Sequence, residues 1–63
     1  MKVVDLWNAF NSWTPFTIID VFEHKSGKFH SYIYSEDMLK RYANYAVVSF
    51  DYDAENNRIK IEV

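Results

Sequence analysis

Glu23, His24 and His30 are the side chains best equipped for chemistry in this chain. A carboxylate beside imidazoles is the raw material of proton transfer and of metal binding. A metal site needs three or four converging ligands, and no spacing motif here supplies the remainder. If a hairpin closes around Lys25 to Lys28, Glu23 and His30 become cross-strand neighbours and His24 an exposed turn residue. That arrangement accounts for all three without a metal. Asp51 and Asp53 form a second pair, two apart on one strand and therefore on one face. Acid–base work needs carboxyls in environments that split their pKa values. These two fall on a polar, solvent-facing pattern, with Arg58 and Lys60 across a hairpin, which favours cross-strand ion pairs. Ser12, Ser26, Ser31, Ser35 and Ser49 have no nucleophile elbow around them, and a single glycine cannot build a phosphate loop. The residues thus call for no catalysis, no cofactor and no metal.

The elements that position these residues can be read from periodicity. Val3, Leu6, Trp7 and Phe10 recur at helical spacing and predict a helix over roughly residues 2–12, stopped by Pro15. Residues 16–23 are β-branched and aromatic and read as a strand. His24 to Lys28 is a turn with Gly27 free to take positive φ, and residues 28–34 return as the second strand. Ser35 is the expected N-cap of a second helix, followed by Glu36 and Asp37 where the dipole favours carboxylates. Met38, Leu39 and Tyr42 form its apolar stripe, and Asn44 is expected to close it in the left-handed region. Ala46, Val48, Phe50 and Tyr52 then alternate with Val47, Ser49, Asp51 and Asp53, and Ile59, Ile61 and Val63 with Arg58, Lys60 and Glu62. Strict period two makes a second hairpin with one dry face. The expected fold class is a single α+β domain over residues 1–63. It runs helix, hairpin, helix, hairpin, with a four-stranded, mostly antiparallel sheet and both helices on one face.

Composition narrows the function classes. The chain has 63 residues, enough for one small core, and no cysteine to staple it. Seven basic against nine acidic residues leave a charge of −2, which argues against nucleic acid as a partner. Tyr32, Tyr34, Phe50 and Tyr52 on central strands could stack bases, but Asp51 and Asp53 flank Tyr52 where such a surface needs cations. The same modest charge is thin for wholesale mimicry of nucleic acid by carboxylates. No apolar run is long enough to span a membrane, and the first residues do not form a signal peptide, so the expected setting is the cytoplasm. Twelve aromatic residues exceed what so small a core easily hides.

The opening Met1-Lys2-Val3-Val4-Asp5-Leu6-Trp7 and the close Val47-Val48-Ser49-Phe50 and Ile59-Lys60-Ile61-Glu62-Val63 resemble small accessory proteins of phages and mobile elements of Gram-positive bacteria. That resemblance implies a protein that binds a host protein, as anti-CRISPR inhibitors do. The aromatic surplus points the same way, because interfaces enrich aromatic side chains. The leading expectation is a non-enzymatic protein-binding domain, an inhibitor of a host enzyme, with Trp13, Asp20, Tyr32 and Tyr34 at the contact surface. Two others stand beside it. One is a self-associating homodimer packing its aromatics across a twofold axis, and the other a small ligand- or metal-binding domain using Glu23, His24 or His30.

Overall fold

A computed structural model describes all 63 residues. The elements are α1 (Val3–Ala9), β1 (Ile18–Glu23), β2 (Lys28–Tyr32), α2 (Ser35–Tyr42), β3 (Ser49–Asp53) and β4 (Arg58–Glu62). They form a four-stranded sheet in the order β2-β1-β4-β3. The two hairpins are antiparallel, and they join through a parallel β1–β4 pair in which Ile19 lies beside Ile59 and Val21 beside Ile61. The fold is therefore α+β with a mixed, mostly antiparallel sheet. No helix is long and apolar enough to cross a membrane.

Alternation along the strands decides which face is covered. Ile19, Val21, Ile59 and Ile61 point to one side and are buried with Val3, Leu6 and Trp7 of α1 and Met38 and Tyr42 of α2. Both helices thus pack on one face. The other face carries Asp20, Ser31, Asp51, Asp53, Arg58, Lys60 and Glu62, as the period-two pattern requires. The edge strands are β2 and β3, so Tyr32, Phe50 and Tyr52 lie at the margins of the sheet and not on the central strands expected for them.

Tertiary contacts shift several boundaries. The first helix ends at Ala9, well before Pro15, because Phe10 turns extended and sets its ring edge-on to Tyr52 at 4.9 Å. The second helix is capped by Tyr34 and not by Ser35, which is its first residue and makes no capping bond. Asn44 does not close that helix: only Gly27 (φ 71°) and Asn57 (φ 52°) take positive φ. A different cap makes Asn44 unnecessary. The carbonyls of Ala43 and Tyr45, past the end of α2, accept hydrogen bonds from the N–H groups of Val4 and Val3 at the start of α1. Orphan acceptors of one helix end satisfy orphan donors of the other. The segment before β3 also departs from its expected alternation. Val47 donates its N–H to the Met1 carbonyl and packs against the core, which leaves Val48 exposed.

Asn57 does at the second hairpin what Gly27 does at the first, and adds a clasp. Its side chain accepts a hydrogen bond from the Thr17 hydroxyl at 2.7 Å and donates one to Thr14 Oγ1 at 3.2 Å. Thr17 Oγ1 also accepts the Thr14 N–H at 2.8 Å, and Thr14 Oγ1 accepts that of Phe16 at 3.2 Å. Residues 14–17 are thereby a tight turn pinned to the far hairpin, where the sequence suggested the start of a strand.

Candidate functional site

The turn at 14–17 forms one wall of the largest concavity, a groove of about 520 Å³. The opposite wall is the exit of β2 and the first turn of α2: Ile33, Tyr34, Ser35, Glu36 and Asp37. Trp7 and Ile19, both core residues, form the floor, and Trp13, Thr14, Pro15 and Thr17 complete the lining. The volume falls in the range typical of binding sites.

Two features make this surface more than a crease. The indoles of Trp7 and Trp13 stack at 5.1 Å between centroids and 26° between planes, so Trp13 is held by a buried ring. Around the groove Trp13 is 37% exposed, Ile33 66%, Tyr34 65% and the neighbouring Phe16 82%. Together these exposed apolar side chains form an open patch at and beside the groove. The charged lining residues are Glu36 and Asp37, both exposed, and none of the ion pairs in the fold involves either.

The residues expected at the contact surface divide. Trp13 and Tyr34 come together as groove walls. Tyr32 faces the helices and packs edge-on to Tyr42 at 6.1 Å. Asp20 lies on the opposite face of the sheet, only 8% exposed, where it takes both nitrogens of the Arg58 fork at 2.9 and 3.0 Å and the Ser31 hydroxyl at 2.6 Å. Burial pushes its carboxyl up, but the hydrogen bonds from Arg58 and Ser31, with the charges of Arg58 and Lys60, outweigh this and hold it below the usual range. Arg58 is thus committed to Asp20 more closely than to Asp53, its partner across the hairpin. Pro15, Ile33, Glu36 and Asp37 line the groove without having been legible as site residues. Pro15 between Trp13 and Phe16 carried a signal, as a rigid turn between two large rings in a polar stretch.

The other polar clusters are built from hydrogen bonds and ion pairs within the fold. Glu23 sits opposite Lys28 and diagonally from His30, so it and His30 share the helix-facing side at 3.8 Å without being directly paired. Glu23 accepts the Tyr42 hydroxyl and that of Ser26, and Arg41 approaches it at 3.6 Å. The Tyr42 hydrogen bond lowers its pKa first and foremost, against an opposing contribution from burial. His24 pairs with Glu62 at 3.1 Å, and Glu62 also accepts the Ser49 hydroxyl. The carboxylate there stands between serine and imidazole, which is the wrong order for activating a serine. No group of three or more histidine and carboxylate side chains gathers closely enough to hold a metal ion.

No protein-family model, no curated protein and no solved structure matches this chain.

Proposed function

We propose that the chain is a protein-binding domain without chemistry of its own, and that it engages its partner through the Trp13–Tyr34 groove. The observation that carries this reading is the position of the exposed rings. Trp13 and Tyr34 face a common groove whose floor is the core, and Phe16 and Ile33 extend the apolar surface beside it. Buried aromatic anchors dominate the energetics of protein interfaces, and a ring already held by a stacked neighbour loses little freedom on binding. The resemblance to phage accessory proteins supplies the setting we propose: a cytoplasmic inhibitor that acts by occupying a surface of a host enzyme.

The test is quantitative capture. Tagged protein is exposed to nuclease-treated bacterial lysate, and retained proteins are measured by mass spectrometry. A partner retained by the parent chain is lost by Trp13→Ala and by Tyr34→Ala, each weakening affinity by at least about 30-fold, the scale of an interface hot spot. Phe29→Ala, on the open face of the sheet, leaves capture unchanged. Equal capture by parent and both groove variants would refute the assignment.

A second reading has its own observation. Val48 and Phe50, just before β3 and on it, are exposed away from the groove, and β3 has an unpaired edge. A twofold partner added there would make this chain a homodimer. Light scattering separates the two: a mass that stays monomeric across concentrations removes the dimer.

A further inference from the structure

We infer that the groove receives an arginine side chain, presented by an otherwise apolar segment of the partner protein. This rests on the groove being the protein-binding site and specifies what it reads.

The argument begins with charge. All seven lysines and arginines of the chain lie outside the groove lining, whereas Glu36 and Asp37 lie on it. Three of the nine carboxylates, Asp20, Glu23 and Glu62, have an ion-pair partner; of the six that have none, only Glu36 and Asp37 line the groove. Asp20 is joined to Arg58, Glu23 to Tyr42 and Arg41, and Glu62 to His24 and Ser49, whereas Glu36 and Asp37 have no cationic partner. An occupant that brings a positive charge supplies what the lining lacks. One bringing phosphate meets two carboxylates and is disfavoured.

The rings then select among cations. Trp13 spends one indole face on Trp7 and stays partly exposed, and Tyr34 is exposed on the facing wall. An aromatic face attracts a cation. A guanidinium is planar, stacks on rings and presents a fork that matches carboxylates, while an ammonium does so only as a point charge. Pro15, Ile33 and the Trp13 ring leave apolar surface on either side for the neighbours of that arginine. A second copy of this chain is a poor source of the cation. Its only arginines are Arg41 and Arg58, and both are engaged, with Glu23 and Asp20.

The chain carries its own reporter, because its only two tryptophans, Trp7 and Trp13, both line the groove. The probes are the acetylated, amidated peptide Ala-Leu-Pro-Arg-Leu-Ala and its twin with citrulline, the uncharged isostere of arginine. Each is titrated into the full chain up to about 10 mM, within reach of weak single-site binding. A saturable change in tryptophan emission is expected with the arginine peptide. Binding should be about tenfold or more weaker for the citrulline twin, and should weaken as salt is raised. The double variant Glu36→Gln, Asp37→Asn, whose fold is checked by circular dichroism, should lose the preference for arginine.

Equal binding of the two peptides, or an unchanged preference in the double variant, overturns the arginine reading. So does silence from both peptides. None of these results touches the protein-binding reading, which falls only if Trp13→Ala and Tyr34→Ala leave partner capture intact.

Discussion

Tyr42→Ala is expected to remove the larger part of the stability of the fold. Tyr42 has no exposed surface, and its ring packs edge-on to Tyr32 and to Tyr45, at 6.1 and 4.9 Å. Truncating a buried aromatic residue costs about 3–5 kcal/mol. A chain of this length has a total of only about 3–9 kcal/mol to lose. A urea transition in far-ultraviolet circular dichroism moved to much lower denaturant is the expected result. An unfolding free energy within about 1 kcal/mol of the parent would show that the core reorganises around the gap. Tyr42→Phe keeps the ring and isolates the hydroxyl, so its loss is smaller and dependent on pH. Burial and the bond to Glu23 push the Tyr42 pKa well above its ordinary value. Its contribution is complete below the ordinary tyrosine range near pH 10 and declines as pH rises toward the folded value. Glu23, lowered in the fold, contributes above the ordinary glutamate range near pH 4, and loses that contribution as pH falls through its folded value. Tyr42→Phe should flatten both limbs of the stability profile.

Asp20→Ala should cost about 2–3 kcal/mol, less than breaking a wholly buried pair because the Arg58 side chain is 44% exposed and regains water. The substitution removes the acceptor of three hydrogen bonds: two from Arg58 on β4 and one from Ser31 on β2. Asp20 on β1 therefore ties three strands together on the open face. The pKa of Asp20 is lowered in the fold, so its contribution is present above the ordinary aspartate range near pH 4 and fades as pH falls through the folded value. Urea midpoints measured from pH 7 downward check this: parent and variant differ at pH 7, and the difference narrows as pH falls below the ordinary aspartate range. Equal midpoints at pH 7 would deny Asp20 its structural role. This role also accounts for a charged residue in the middle of an apolar strand. A carboxylate among Ile18, Ile19, Val21 and Phe22 looks like function until Arg58 is seen beside it, 38 residues away in sequence.

The difference between what was legible and what was not follows the range of the interactions. Period two in Arg58–Glu62 and the turn glycine at 27 are local facts, and hairpins follow from them. Val3, Leu6 and Trp7 announce a helix for the same reason. Its early end does not show, because Phe10 leaves the helix for Tyr52, far along the chain. Asn44 looked like a cap because helix ends near asparagine are often closed locally, whereas this one is closed by the backbone of α1. The groove was half visible. Trp13 and Tyr34 stood out as surplus rings, but Glu36 and Asp37 read as complements to a helix dipole and as two of many carboxylates, with nothing to set them beside those rings. Whether such carboxylates face a cation or open water depends on which loop folds over them, and here that loop is pinned by Thr14, Thr17 and Asn57.

The parallel pairing of β1 with β4 also bears on how fast the protein folds. Ile19 and Ile59 are neighbours in space and 40 residues apart in sequence. Bringing such distant segments together costs about 3 kcal/mol of chain entropy by loop-length scaling alone. The hairpins close over short turns on the microsecond scale. We therefore expect the rate-limiting event to be the meeting of two hairpins, with their mutual seam already partly packed at the barrier. Ile19→Val and Ile59→Val should then slow refolding as well as lower stability. Stopped-flow traces in which both substitutions speed unfolding and leave refolding unchanged would place the packing of the seam after the barrier. If the seam is the late step, a molecule caught before it closes exposes an unpaired edge on both β1 and β4, and crowding at that moment favours exchange of hairpins between copies.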